Sequence, residues 1–493
     1  MRRGYPYGQF LLCSWNVILV TARHALEFDL HLRQQHPGTQ RRLSSTGAEV
    51  DLANYDNVQY YLKIQVGEPC PASSSQSFYV VPDTGSSDLW IPAQNCTSCT
   101  SLVSSVTRTA ALFNLTASCS HKEVGDRVHF TYGDGTRASG MALEDTVEIG
   151  GIEVRNQYLI QVDTLEELTR MQSDGILGLA HHFMGDSEDG SSFAKGHSFL
   201  ANLFKQHPEV PHQFSFALTA DPVTGEMSKF VVGEPNMPAH SQEDHFHYGK
   251  SWYMEKTGLW LTSVWSLGWS GTGIEQQFHD GGRAGMAALV DSGSSLIVLA
   301  PDLFDTFVSD HLPKYLSNCE MDADQQVLHC DCPSDREMRR IPSLVINIIT
   351  QDDEQYPLCM GASEFILRSM DEMAGDMSCV PALQRGDYRQ PLPIIIGMTF
   401  MRAFYTTFDM DARAIGFARS SQSPLPPDAV CKIEVDEFPG RIVWVLSLMM
   451  AVFSVIFMLC VCCSKAPGVD ASYAATPSGA AAPLTAQSGL GWV

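Results

Sequence analysis

Apolar positions in this chain fall mostly into short runs that end at Gly, Pro, Asn or Asp. Val, Ile, Phe and Tyr dominate the runs at 60–66, 78–81, 128–132, 147–149, 214–218, 230–232, 344–349 and 394–396. β-Branched and aromatic residues in runs of that length, bounded by turn formers, predict strands. Helical spacing is scarce, and 198–206 and 302–315 are the best candidates for it. The pattern predicts an all-β protein with a few short helices.

Two apolar runs differ from the rest. Residues 10–22 (FLLCSWNVILVTA) follow Arg2 and Arg3 and lead into small residues through Ala25. That order predicts a secretory signal peptide over 1–25, with a retained anchor as the other reading. Residues 442–463 (IVWVLSLMMAVFSVIFMLCVCC) contain no charge, Pro or Gly. A bilayer-spanning helix needs about 20 such residues, so one C-terminal transmembrane helix is expected here. Arg441 and Lys465 flank the run on both sides, so local charge does not orient it. A cleaved signal would place 26–441 in the lumen, and 464–493, rich in Ala, Pro, Gly and Ser, in the cytosol as a flexible tail. The expectation is a single-pass type I membrane protein of the secretory or endomembrane system. Cys460, Cys462 and Cys463 lie at the cytosolic edge, where they are either palmitoylation candidates or apolar filling.

Composition narrows the picture. The 493 residues are 44% hydrophobic and 10% aromatic, enough for a large two-lobed core. Charged residues make up 18%, which argues against wholesale disorder. A net charge of −24 argues against a nucleic-acid partner and suits either an acidic compartment or plain solubility. Of fourteen cysteines, Cys70, Cys96, Cys99, Cys119, Cys319, Cys330, Cys332, Cys359, Cys379 and Cys431 lie between the two apolar runs. An even number confined there fits disulfides in an oxidising lumen, with Cys96, Cys99, Cys119, Cys330, Cys332 and Cys379 singled out. Cys96-x-x-Cys99 and Cys330-x-Cys332 also allow a metal reading. No second CxxC or His pair stands at zinc spacing, however, and no metal or cofactor is expected. His181-His182 and His245-x-His247 read as loop histidines.

The middle of the chain repeats itself. Val80-Val81-Pro82-Asp83-Thr84-Gly85-Ser86-Ser87 is echoed by Ala288-Leu289-Val290-Asp291-Ser292-Gly293-Ser294-Ser295. Ile176-Leu177-Gly178 is echoed by Ile395-Ile396-Gly397. A single Asp-Thr-Gly is a weak signal, but two extended copies, each followed by an apolar-apolar-Gly, are a strong one. Two carboxylates held close together cannot both ionise; they share a proton and titrate as a pair. Such a pair can deprotonate a water and protonate a carbonyl without a covalent intermediate. A glycine after each Asp-[Thr/Ser] lets backbone approach the carboxylates.

These motifs resemble the pepsin family of aspartic proteases, with similarity running from about Asn54 to Phe417. The layout is similar to its membrane-anchored members, such as β-secretase and the plasmepsin-group export proteases. The resemblance implies a bilobal fold, with an N-terminal lobe over 51–220 and a C-terminal lobe over 221–420. A short prosegment over 26–50 would precede the lobes, with Arg41-Arg42 as a cleavage point. A juxtamembrane linker over 421–441 and the span 442–463 would follow. It implies Asp83 and Asp291 as the catalytic pair. Thr84 and Ser292 would cross-link the two loops, and Ser86 and Ser294 would hydrogen-bond the outer carboxylate oxygens. The segment His129–Thr136 resembles the family's flap. Tyr132 would lie over the cleft, braced by Trp90, and Gly133 and Asp134 would touch substrate. Side-chain preference would come from pockets near Ile176 and the flap. Protein or peptide substrates would bind extended to a monomeric enzyme. Pro82 and Met398 depart from the family pattern, and 403–417 resembles the closing strands of the second lobe. Asn95-Cys96-Thr97 and Asn114-Leu115-Thr116 are N-glycosylation sequons. A pepsin-like binding protein without catalysis and a structural type I membrane protein are the competing functions. The paired motif argues against both.

Overall fold

A computed structural model describes residues 47–433, 449–450 and 452–454, except 56–58, 102–109, 133–135, 167–172, 181–197, 221–226, 253–257, 281–282, 324, 372–375, 389–391, 427–428 and 430. The expected signal, most of the expected prosegment and the tail 464–493 lie outside the described residues. The chain divides into two compact units, Met1–Val435 and Asp436–Val493. In the second unit, Met449, Met450 and residues 452–454 are helical, and Ser454 Oγ donates to the Met450 carbonyl at 2.8 Å. Among the described residues no helix is long and apolar enough to cross a membrane. Most of the expected span 442–463 lies outside them.

The first unit is mostly β and bilobal. The described strands form one thirteen-stranded sheet, one twelve-stranded sheet and a two-stranded ribbon. Strand Gln59–Val66 shows why the apolar pattern was readable. Tyr60, Leu62, Ile64 and Val66 are buried, while Tyr61, Lys63 and Gln65 between them are not. Leu344–Ile349 is buried at every position, because both faces of that strand are covered. All eight predicted strand runs overlap observed strands. The helix expected over 198–206 forms as Phe199–Gln206, with Ser198 as its N-cap. The one expected over 302–315 does not form as a single helix. It breaks into an α-turn at Pro301–Phe304, a π-turn at Asp305–Ser309 and a 3₁₀ turn at Leu312–Lys314. Pro313 lacks a donor and restricts the residue before it, so a regular ladder cannot continue through the last of these turns.

Two segments at the expected boundaries take places in the thirteen-stranded sheet. Strands Phe404–Asp409 and Ala414–Arg419, read as closing the second lobe, join the thirteen-stranded sheet, where Phe404–Asp409 pairs with Gln213–Ala217. Gly47–Val50, read as the end of a prosegment, opens a strand paired with Phe230–Gly233. Phe214 stacks on Phe408 at 4.8 Å, and Trp260 packs edge-on against both.

Part of the expected juxtamembrane linker belongs to the body. Leu425 packs over Gly361, and Cys431 is bonded to Cys359. The Lys432 and Ile433 carbonyls accept from Gly271 N and Gly273 N. The other bridges are Cys70–Cys119, Cys96–Cys99, Cys319–Cys330 and Cys332–Cys379, so all ten cysteines between the apolar runs are paired. The metal readings of Cys96-x-x-Cys99 and Cys330-x-Cys332 fall with them, since a bridged sulfur is no thiolate ligand.

Candidate active site

Each copy of the repeat builds the same local structure. In the first lobe, strand Gln76–Asp83 runs parallel to Gly175–Gly178, pairing Val81 with Ile176 and Asp83 with Gly178. Strand Leu89–Pro92 pairs with the other side of Gly175–Gly178. In the second lobe, Met286–Val290 runs parallel to Ile394–Ile396, and Ile297–Leu299 takes the other side. The apolar-apolar-Gly piece is therefore the strand between the two arms of each Asp loop. Pro82 fits without loss. The Asp83 carbonyl accepts from Leu179 N, so the backbone of residue 82 faces the opposite way. There its carbonyl accepts from Ser292 Oγ at 2.7 Å, and its missing N–H costs no bond to Gly175–Gly178.

The two loops meet tip to tip and are tied reciprocally. Thr84 N donates to Ser292 Oγ at 3.0 Å, and Ser292 N donates to Thr84 Oγ1 at 2.8 Å. Thr84 Oγ1 in turn donates to the Val290 carbonyl at 2.9 Å. Each carboxylate has matching partners. Gly85 N reaches Asp83 Oδ1 and Gly293 N reaches Asp291 Oδ1, both at 2.8 Å. Ser86 Oγ donates to Asp83 Oδ2, and Ser294 Oγ donates to Asp291 Oδ2 at 2.6 Å.

The glycines face the opposite carboxylates. A Cβ on Gly85 would lie 2.6 Å from Asp291 Oδ1, and one on Gly293 would collide with Asp83 Oδ1. Only a residue without a side chain lets the two acids come this close. Asp83 and Asp291 are both 0% exposed. Burial, and after it the charge of Asp83, hold the Asp291 carboxyl well above the usual carboxylate range. Such a pair keeps one proton where isolated carboxylates have lost theirs.

Beside the first loop, Trp90 Nε1 donates to the Tyr132 hydroxyl at 2.6 Å. Tyr132 directly follows the strand Lys122–Thr131, packs edge-on against Phe130, and its N–H donates to the Thr136 carbonyl. The hairpin tip with Gly133 and Asp134 lies outside the described residues. Ile176, expected beside a substrate pocket, is 1% exposed. It packs in a cluster with Val81, Trp90 and Tyr132, so it supports the hairpin residues from within the lobe.

A model of the eukaryotic aspartyl proteases matches residues 59–420, well over half of the chain. The chain belongs to that family. Among its relatives are cathepsin D of Chionodraco hamatus, 27% identical over 82% of this chain and 89% of that protein. Renin-2 of Mus musculus is 29% identical over 75% of this chain and 81% of its own length. A vacuolar aspartic protease of Candida albicans is 26% identical over 75% and 77%. This aspartyl protease is accordingly an endopeptidase acting on protein or peptide substrates.

Two residues near the loops escaped sequence reading. Asp88, five places beyond Asp83, is buried, and burial pushes its carboxyl up to about 6. Its place in the motif gave no sign of burial. Trp260 hydrogen-bonds behind both loops, and nothing in its spacing ties it to either.

Proposed function

We propose that Asp83 and Asp291 are the catalytic pair of this endopeptidase, acting through a water held between them. The observation that carries the reading is the reciprocal fit of each glycine against the opposite carboxylate. The charged member takes a proton from the water as its oxygen attacks the scissile carbonyl carbon. The protonated member gives its proton to the carbonyl oxygen. The resulting diol collapses as the amide nitrogen takes a proton from the protonated member and leaves, while a diol hydroxyl gives its proton to the charged member, so the pair again holds one proton. Thr84, Ser292, Ser86 and Ser294 hold the two acids in place. Tyr132, braced by Trp90, closes over an extended peptide with Gly133 and Asp134.

On this reading the enzyme is a monomer anchored by 442–463, with its catalytic unit lumenal or extracellular, and it processes secretory or membrane proteins. The uncharged run 442–463, the signal-like start and the five disulfides support that placement. The lobes correspond to 51–220 and 221–420, with 404–419 lying in the first lobe's sheet. Asp83→Asn and Asp291→Asn each should abolish hydrolysis of an unstructured protein substrate while thermal unfolding stays close to wild type. Near-normal turnover by either variant would refute the pair.

A further inference from the structure

The two Asp loops come from opposite lobes, and their hydroxyl ties hold them at the tips. A second link lies behind them. Trp260 immediately precedes the strand Leu261–Trp269 and is 0% exposed. Its indole Nε1 donates to the Leu179 carbonyl at 2.8 Å, and the Leu179 N–H donates to the Asp83 carbonyl at 2.7 Å. The Trp260 carbonyl accepts from Val290 N at 3.0 Å, one residue before Asp291. One side chain of the second lobe thus reaches the backbone that carries Asp83, while its own backbone carbonyl holds the end of the strand that leads into Asp291. The ring is fixed by edge-on contacts with Phe214 at 5.6 Å and Phe408 at 5.1 Å.

We propose that Trp260 is a positioning residue that sets the separation of the two carboxyl groups by pinning both Asp loops from behind. It touches neither carboxylate and acts through Leu179 and Val290. Pinned only at their tips, the loops are free to rock about the Thr84–Ser292 ties; the rear link removes that freedom. Catalysis needs both acids on one water, so a rocking pair loses turnover more than substrate affinity. The spacing of the pair's two apparent titrations also depends on how closely the carboxyl groups approach. The charged group acting on Asp291 is Asp83, and the other groups on it are the Ser294 hydroxyl and the Gly293 N–H. The inference rests on Asp83 and Asp291 being the catalytic pair.

The test is a matched pair of substitutions. Trp260→Phe keeps an aromatic ring and removes the indole N–H. Trp269→Phe makes the same change at another buried tryptophan, whose Nε1 donates to the Phe307 carbonyl at 3.0 Å inside the second lobe. Trp260→Phe should lower kcat about 3- to 10-fold, the worth of one hydrogen bond, and leave KM within about twofold. Its bell-shaped pH profile should narrow, because carboxyl groups held farther apart couple less. Trp269→Phe should lose comparable stability with the bell width of wild type. If Trp260→Phe does not fold, replacement of Trp260 by 3-benzothienylalanine, which keeps the ring shape and lacks only the N–H, serves in its place. A wild-type bell width in the Trp260 variant overturns the inference, and so does equal narrowing in both variants. Asp291→Asn is assayed alongside. Retained turnover there removes the catalytic-pair reading itself, whereas an inactive Asp291→Asn with an unaltered Trp260 variant removes only the positioning role.

Discussion

A missing side chain matters most where two carboxyl groups must meet. Gly293→Ala would drive a methyl group into Asp83 Oδ1 and against Asp291 Oδ1, displacing one carboxyl group or the other. We expect kcat/KM to fall at least about 100-fold, roughly 2.7 kcal/mol of transition-state stabilisation. Steady-state kinetics on one peptide measures this, and a loss below tenfold would mean the loops relax easily. Tyr132 is a different case. A flap residue should be nearly silent in stability, yet Tyr132 is 4% exposed and packs on Phe130, so Tyr132→Ala would disturb the fold as well as the chemistry. Tyr132→Phe isolates the hydroxyl that accepts from Trp90. It should lower kcat/KM about 3- to 10-fold, and Trp90→Phe should act in the same direction. The double variant should cost less than the sum, since both singles break one bond. Additive losses in the double-mutant cycle would show that the bond plays no part in turnover.

Among the elements, the segment after the last strand behaves unlike a linker. Residues 431–433 are fastened by Cys359–Cys431 and by two backbone hydrogen bonds to the turn after Trp269. Ile433 also sits over Gly268, which has no side chain to obstruct it. Loss of this bridge in Cys359→Ser/Cys431→Ser should lower the unfolding free energy by about 2–4 kcal/mol, because the crosslink closes a long loop. Urea denaturation measures it, and a change under about 0.5 kcal/mol would mean the segment is held without the bridge. A chain ending after Ile433 should be soluble and active, whereas one ending after Ser420 should be far less stable.

For the whole molecule, buried acids set the response to pH. Burial raises the carboxyls of Asp88, to about 6, and of Asp291 and Glu364 above their ordinary values. A raised acid favours the folded state in its protonated form. The stability Asp88 adds is complete below its ordinary value of 3.8 and is lost as the pH climbs through about 6. That loss is on the order of 3 kcal/mol for Asp88. Asp163 and Asp305, held low by Arg127 and Arg385, and Glu243, held low by His247 and the Arg419 N–H against its own burial, work in the opposite sense; the first two are partly exposed and screened by solvent. The enzyme should therefore be more stable near pH 4 than near pH 7, and Asp88→Asn should flatten that slope. Urea melts across this range test it, and an unchanged slope in Asp88→Asn would place the dependence elsewhere. Full-length chain in membranes should resist alkaline carbonate extraction, and its release would refute the anchor.

The sequence by itself determined the class of the fold and the identity of the paired acids. Strand runs such as 60–66 and 344–349 report burial through local side-chain chemistry, and Asp83 and Asp291 announce themselves because the same loop is written twice. Where strands go was not local information. Phe404–Asp409 lies beside Gln213–Ala217 because aromatic faces nearly two hundred residues apart match, with Phe408 stacked on Phe214. Register and the fastening of 431–433 likewise follow from contacts across the chain. Only the tertiary structure could set Asp88 in a buried site or carry the Trp260 indole to the Leu179 carbonyl. Desolvation and hydrogen bonding depend on which distant backbone arrives beside a side chain, and a residue's neighbours in sequence do not specify that.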